Sequence, residues 1–176
     1  VPFDRQQAFD MAASGVLTQR RPSRDDEGVC RYRTRCHDRS LKCTIGWLIP
    51  DYRYKAHYEN HEGFPFALVA RQGLAPHLGF DGCPEDLSFL EGLRFVHDAA
   101  SGATTMGTAE IFLAEFVDRM EQLGRRYSLD VTALNGRTPP SRIVDPDQHM
   151  LPGFPPVTKP LSVLFSQWTE RRGPDR

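Results

Sequence analysis

Cys30-Arg31-Tyr32-Arg33 and, after the polar turn Thr34 to Ser40, Leu41-Lys42-Cys43-Thr44-Ile45-Gly46-Trp47-Leu48-Ile49-Pro50-Asp51 decide how this chain is read. Residues 29–33, taken as a strand, place Cys30 and Tyr32 on one face and Val29, Arg31 and Arg33 on the other. Leu41 and Cys43 share a face on the return strand, so Cys30 and Cys43 are candidates to face each other across a β-hairpin. Beyond the hairpin, Cys43 opens a short apolar run that begins with small residues. That pattern sets a thiol at a helix N-terminus, where free backbone N–H groups and the helix dipole stabilise a thiolate.

Helices flank this hairpin. Asp4 is the expected N-cap of the first, with Gln7 three residues on, and Phe9, Ala12, Ala13, Val16 and Leu17 recur at helical spacing. Residues 51–63 are polar and aromatic without a clean period, an irregular loop with room for one helical turn. Pro65 opens a short helix over Phe66 to Gln72, closed by Gly73 and Pro76. Pro84, Glu85 and Asp86 mark the clearest helix start in the chain. That helix lines up Leu90, Leu93, His97 and Ala100, and so sets His97 on its core side. A long helix follows over about residues 106–127, with Leu113, Phe116, Val117, Met120, Leu123 and Tyr127 at core spacing. The reading is α+β, a helix-dominated single domain over residues 1–132 with a small hairpin. A Pro-rich extension, 133–176, carries the apolar patch Leu161, Leu164, Phe165 and Trp168, expected to dock on the domain or to join two copies.

Composition narrows function. Twenty-two Lys and Arg stand against 23 Asp and Glu, a formal net charge of −1, so no global basic field gathers nucleic acid. Positive charge is local: Arg20, Arg21, Arg24, Arg31, Arg33, Arg35, Arg39 and Lys42 concentrate in the N-terminal third. No apolar run approaches the roughly 20 residues that span a bilayer, and no basic-then-apolar leader pattern opens the sequence. The four cysteines show no dense disulfide framework. They read as free thiols of a cytoplasmic protein, with no cofactor and no metal expected.

Cys-x-Tyr-Arg at 30–33, Leu-Lys-Cys-x-Ile-Gly-x-Leu-Ile-Pro-Asp at 41–51 and Phe-Leu-x-x-Leu-x-x-x-His-Asp at 89–98 resemble a family of small proteins encoded by bacteriophages, prophages and bacteria. The resemblance covers about residues 6–128. It implies a compact helical domain with a small hairpin and brings no activity with it. Two departures mark this chain: Thr34 to Ser40 is a longer, more basic hairpin tip than the family's glycine-containing turn, and the Pro-rich extension lies outside the pattern.

The candidate chemistry starts at Cys43. A thiol nucleophile needs a base, and a base needs an orienting partner. Cys43, His97 and Asp98 supply that inventory, although consecutive helical residues diverge by about 100°, which makes Asp98 a poor orienter of His97. His57 and His61 are alternative bases. Cysteine-dependent acyl or amide transfer or hydrolysis is therefore the first expectation, with Arg31, Arg33, Tyr32, Trp47, His57 and His61 binding a peptidic or anionic substrate. A plain core role for Cys43 and His97 is the commoner explanation of such residues. Cys30, Cys36, His37 and Cys43 have zinc-ligand chemistry but lack the close Cys pair that grips the ion. The second functional expectation is a non-enzymatic binding protein whose basic hairpin engages a protein or a nucleic acid. Nucleic acid is the less favoured partner because Asp25, Asp26, Glu27 and Asp38 dilute the arginines, while Tyr32, Trp47, Tyr52 and Tyr54 supply aromatic faces.

Overall fold

The computed structural model describes residues 3–36, 39–60, 63–74, 77–103 and 108–134. All belong to the first of two units, Val1–Ser141. His37, His61 and residues 135–176 of the extension, with Leu161, Leu164, Phe165 and Trp168, lie outside the described residues. Among those described are five α-helices, α1 (Arg5–Gln19), α2 (Thr44–Leu48), α3 (Phe66–Leu74), α4 (Pro84–Ala103) and α5 (Ala109–Arg126), and one antiparallel hairpin, β1 (Arg33–Cys36) with β2 (Arg39–Lys42). The fold is thus α+β and helix-dominated. No described helix is long and apolar enough to cross a membrane.

Local signals explain the helices. The Asp4 carboxylate accepts the Gln7 N–H at 3.0 Å, and α1 stops where Arg20 turns left-handed at φ 59°. Its apolar face buries Ala8, Phe9, Ala12, Ala13, Val16 and Leu17. α4 packs most extensively on α5, and the one-turn α2 is held between α1 and α4. Two glycines permit that insertion. A side chain at Gly15 would occupy the space of the Trp47 indole, and one at Gly46 would collide with the Tyr32 carbonyl oxygen. The Thr44 hydroxyl donates to the Leu93 carbonyl at 2.8 Å, tying α2 to α4. The core continues to Leu134, buried in the short 3-10 turn Thr132–Leu134 that packs on α1.

The hairpin begins later than its sequence pattern suggests. Residues 29–32 lie outside β1, and Cys30 instead makes an isolated bridge to Arg24. The reason is competition for the backbone donors. Glu59, at the end of the 3-10 turn Ala56–Glu59, accepts the N–H groups of Tyr32 and Arg33, each at 2.9 Å, and the Tyr54 hydroxyl at 2.9 Å. The expected pairing of Cys30 with Cys43 fails because the register sets Tyr32, not Cys30, beside Cys43. Arg33 stands opposite Lys42, the Cys43 N–H donates to the Tyr32 carbonyl, and all four cysteines are free.

Candidate functional site

Cys43 caps α2, as its place before a small-residue run predicts: Sγ accepts the Gly46 N–H at 3.3 Å. Its reactivity does not follow. The residue is 3% exposed, and burial pushes its thiol pKa far up, overriding the opposing pull of the Gly46 N–H. A single turn of helix offers too small a field to offset loss of water around a thiolate. The thiol that shares a cluster with His97 and Asp98 is Cys30: its Sγ, a His97 ring nitrogen and an Asp98 carboxylate oxygen lie within 4.8 Å of one another. Nothing in the sequence spacing signals this neighbour, because it depends on the loop before β1 folding back onto α4.

His97 is fully buried and its two nitrogens are committed. The Ser23 backbone N–H donates to Nε2 at 3.1 Å, so Nε2 is the acceptor and the neutral ring carries its proton on Nδ1. Nδ1 faces Asp98 Oδ1 at a long 3.5 Å. Neither nitrogen is left to take a proton from a thiol. The same argument removes a metal from the Cys30, His97 and Asp98 cluster. Ligation through Nδ1 would move the ring proton to Nε2, against the Ser23 N–H, whereas ligating histidines normally donate their second N–H. The Cys30 thiol is pushed up to about 12, by burial first and by the Asp98 charge second. The cluster reads as a seam joining the loop to α4, completed by Arg24, which donates to the carbonyls of Gly28 and Ser101.

The residues expected to hold substrate divide sharply. Arg31 pairs with Asp25 at 2.6 Å and donates to the Glu59 carbonyl. Arg33 pairs with Asp51 at 2.8 Å, donates to the Ile49 carbonyl and lies over the Tyr54 ring at 4.4 Å. Tyr32 is buried against Arg94, with its hydroxyl pKa pushed up to about 12 by burial. Trp47 packs on Gly15 beneath the Lys42 ammonium, 5.2 Å from the ring centroid. His57 is exposed but clasped edge-on by Tyr58 and Phe64. These groups hold the fold.

Three further arginines turn outward. Register sets Arg33, Lys42, Arg35 and Ser40 on one face of the hairpin and Thr34, Leu41, Cys36 and Arg39 on the other. The second face meets the end of α1 across an open groove of about 290 Å³ lined by Thr18, Gln19, Arg21, Cys36, Arg39, Ser40 and Leu41. Arg21, Arg35 and Arg39 are exposed, and their guanidinium groups have no carboxylate partner among the described residues. The composition of the N-terminal third signalled a basic region; it did not separate these three from the arginines spent inside. No family model, curated protein or solved structure matches the chain.

Proposed function

We propose that this chain is a non-catalytic binding module that engages an anionic partner through the outer half of its hairpin. The observation that carries the reading is the groove between α1 and the hairpin, where Arg21 and Arg39 line one open cleft without a carboxylate partner among the described residues. Exposed guanidinium groups are weakly hydrated planar forks that match carboxylate or phosphate oxygens in pairs. Their positions on a strand end and a helix-terminal loop leave them ordered at the base and open at the tip. Cysteine-dependent transfer through Cys43 has weaker support, since that thiol is buried and both His97 nitrogens are committed.

The test is charge reversal on the folded protein. Arg21→Glu with Arg39→Glu should abolish retention of polyglutamate and of oligonucleotides at low salt while the melting temperature stays within about 2 °C, as for surface substitutions away from packed features. Retention of both polyanions by the doubly reversed protein would reject the reading.

A further inference from the structure

We infer that the anionic partner is a single-stranded nucleic acid, with one base stacked on Tyr52 and its backbone followed around the outer hairpin by Arg35 on one face and by Arg21 and Arg39 in the groove on the other; this rests on the binding reading above. Four aromatic residues near the basic segment were candidates for stacking, and three are spent. Tyr32 is buried, Trp47 is packed between Gly15 and Lys42, and the Tyr54 ring lies under Arg33 with its hydroxyl on Glu59. Tyr52 is 75% exposed, the most exposed large apolar residue of the described chain, and its ring makes no contact with another ring there.

Its turn is fastened on both sides. The N–H groups of Arg53 and Tyr54 both donate to the Pro50 carbonyl, closing a tight turn with Tyr52 at its apex. One side of the turn is pinned by Asp51, which accepts Lys42 and Arg33 at 2.8 Å each; those two cations hold its carboxyl below the usual range, Lys42 foremost. The other side is pinned by Arg53, whose Nε and Nη2 both donate to the Gln72 carbonyl. An aromatic face held in water on a braced turn has already met most of the ordering cost that binding would impose.

Charge and position favour a nucleic acid over an acidic peptide. The Arg33–Lys42 pair that anchors Asp51 precedes the Arg35–Ser40 pair on the same hairpin face, so the turn that carries Tyr52 is fastened to the strand pair next to Arg35. A stacking platform beside guanidinium groups is the combination that binds single strands, where every base has a π-face and every linkage a phosphate. A duplex hides its base faces and gains nothing from Tyr52. An acidic peptide would use the arginines and leave the ring idle.

The experiment titrates fluorescent oligonucleotides of about 12 nucleotides, DNA and RNA, the matching duplex, and labelled polyglutamate against the full chain and its variants. Single strands of either sugar are expected to bind at least about tenfold more tightly than duplex or polyglutamate. Tyr52→Ala should weaken single-strand binding about thirtyfold, near the middle of the range for one stacked base, while Tyr52→Phe restores it and polyglutamate is indifferent to both. Arg35→Ala should lower the slope of log affinity against log salt by about 0.7, the share of one phosphate on a single strand, and Tyr52→Ala should leave that slope alone. Equal binding of polyglutamate and single strands, preference for duplex, or full affinity in Tyr52→Ala would overturn the inference and leave the anionic-partner reading standing. Failure of every polyanion to bind would overturn both.

Discussion

Arg33 and Arg35 stand two residues apart on one strand and on one face of the sheet, yet their surroundings differ in kind. Arg33 is enclosed by Asp51, the Ile49 carbonyl and the Tyr54 ring, and the strand beneath it is fastened to Glu59. Arg35 projects into water with no carboxylate partner among the described residues. The inner half of the hairpin is therefore part of the packed domain, while the outer half is a surface. Identical side chains acquire opposite roles because the turn Pro50–Tyr54 and the 3-10 turn Ala56–Glu59 close over one pair of strand residues and stop short of the next.

The contrast is broken most severely at Glu59. Glu59→Ala removes the acceptor for two backbone N–H groups and one hydroxyl, and leaving such donors unmet should destabilise the fold by about 3 kcal/mol. Glu59→Gln, which keeps one carbonyl oxygen, should recover part of that. A urea titration giving less than about 1 kcal/mol for Glu59→Ala would mean that the inner half is not fastened there.

A second experiment uses pH. Burial raises the folded pKa of Cys43 above its unfolded value of about 8.5. Above that value the unfolded thiol loses its proton while the folded one keeps it, so the native state binds more protons and stability falls as pH rises. The slope for this one group is about 1.4 kcal/mol per pH unit. Cys30, pushed up to about 12, acts with the same sign over the same window, so the comparison isolates Cys43 only through its own substitution. Comparing urea midpoints near pH 8 and pH 10 should show a shallower loss in Cys43→Ala than in the parent. Equal losses would place the Cys43 thiol in water and reopen its case as a nucleophile.

The smallest effect sharpens the comparison directly. Arg33→Ala should cost about 1–2 kcal/mol through its lost ion pair, carbonyl bond and ring contact, whereas Arg35→Ala should stay within about 0.5 kcal/mol. Equal costs would remove the distinction between inner and outer halves.

The helices were legible because each carries its own evidence. Asp4 before α1, Pro84 with Glu85 and Asp86 opening α4, and the apolar repeat of α5 act through neighbours three or four residues away, and the structure keeps each within a few residues of its expected bounds. Cys43 as a helix cap was legible on the same local grounds. The start of β1 was not. Alternation from Val29 to Arg33 describes a strand equally well, and only Glu59, distant in sequence, takes the donors that would have extended pairing inward. The partners of His97 were hidden more completely, since Ser23 and Cys30 reach it only through the fold of the preceding loop.

By itself the sequence determined the helix-dominated class, the hairpin, the cap at Cys43 and the concentration of arginines in one third of the chain, all set by periodicity, capping and composition over short range. The tertiary structure alone decided which of those residues meet water. It dried the Cys43 thiol, committed both nitrogens of His97, enclosed Arg31 and Arg33, and left Arg21, Arg35, Arg39 and Tyr52 outside. Desolvation and the satisfaction of backbone donors are properties of the whole packed chain, so no local pattern of residues encodes them.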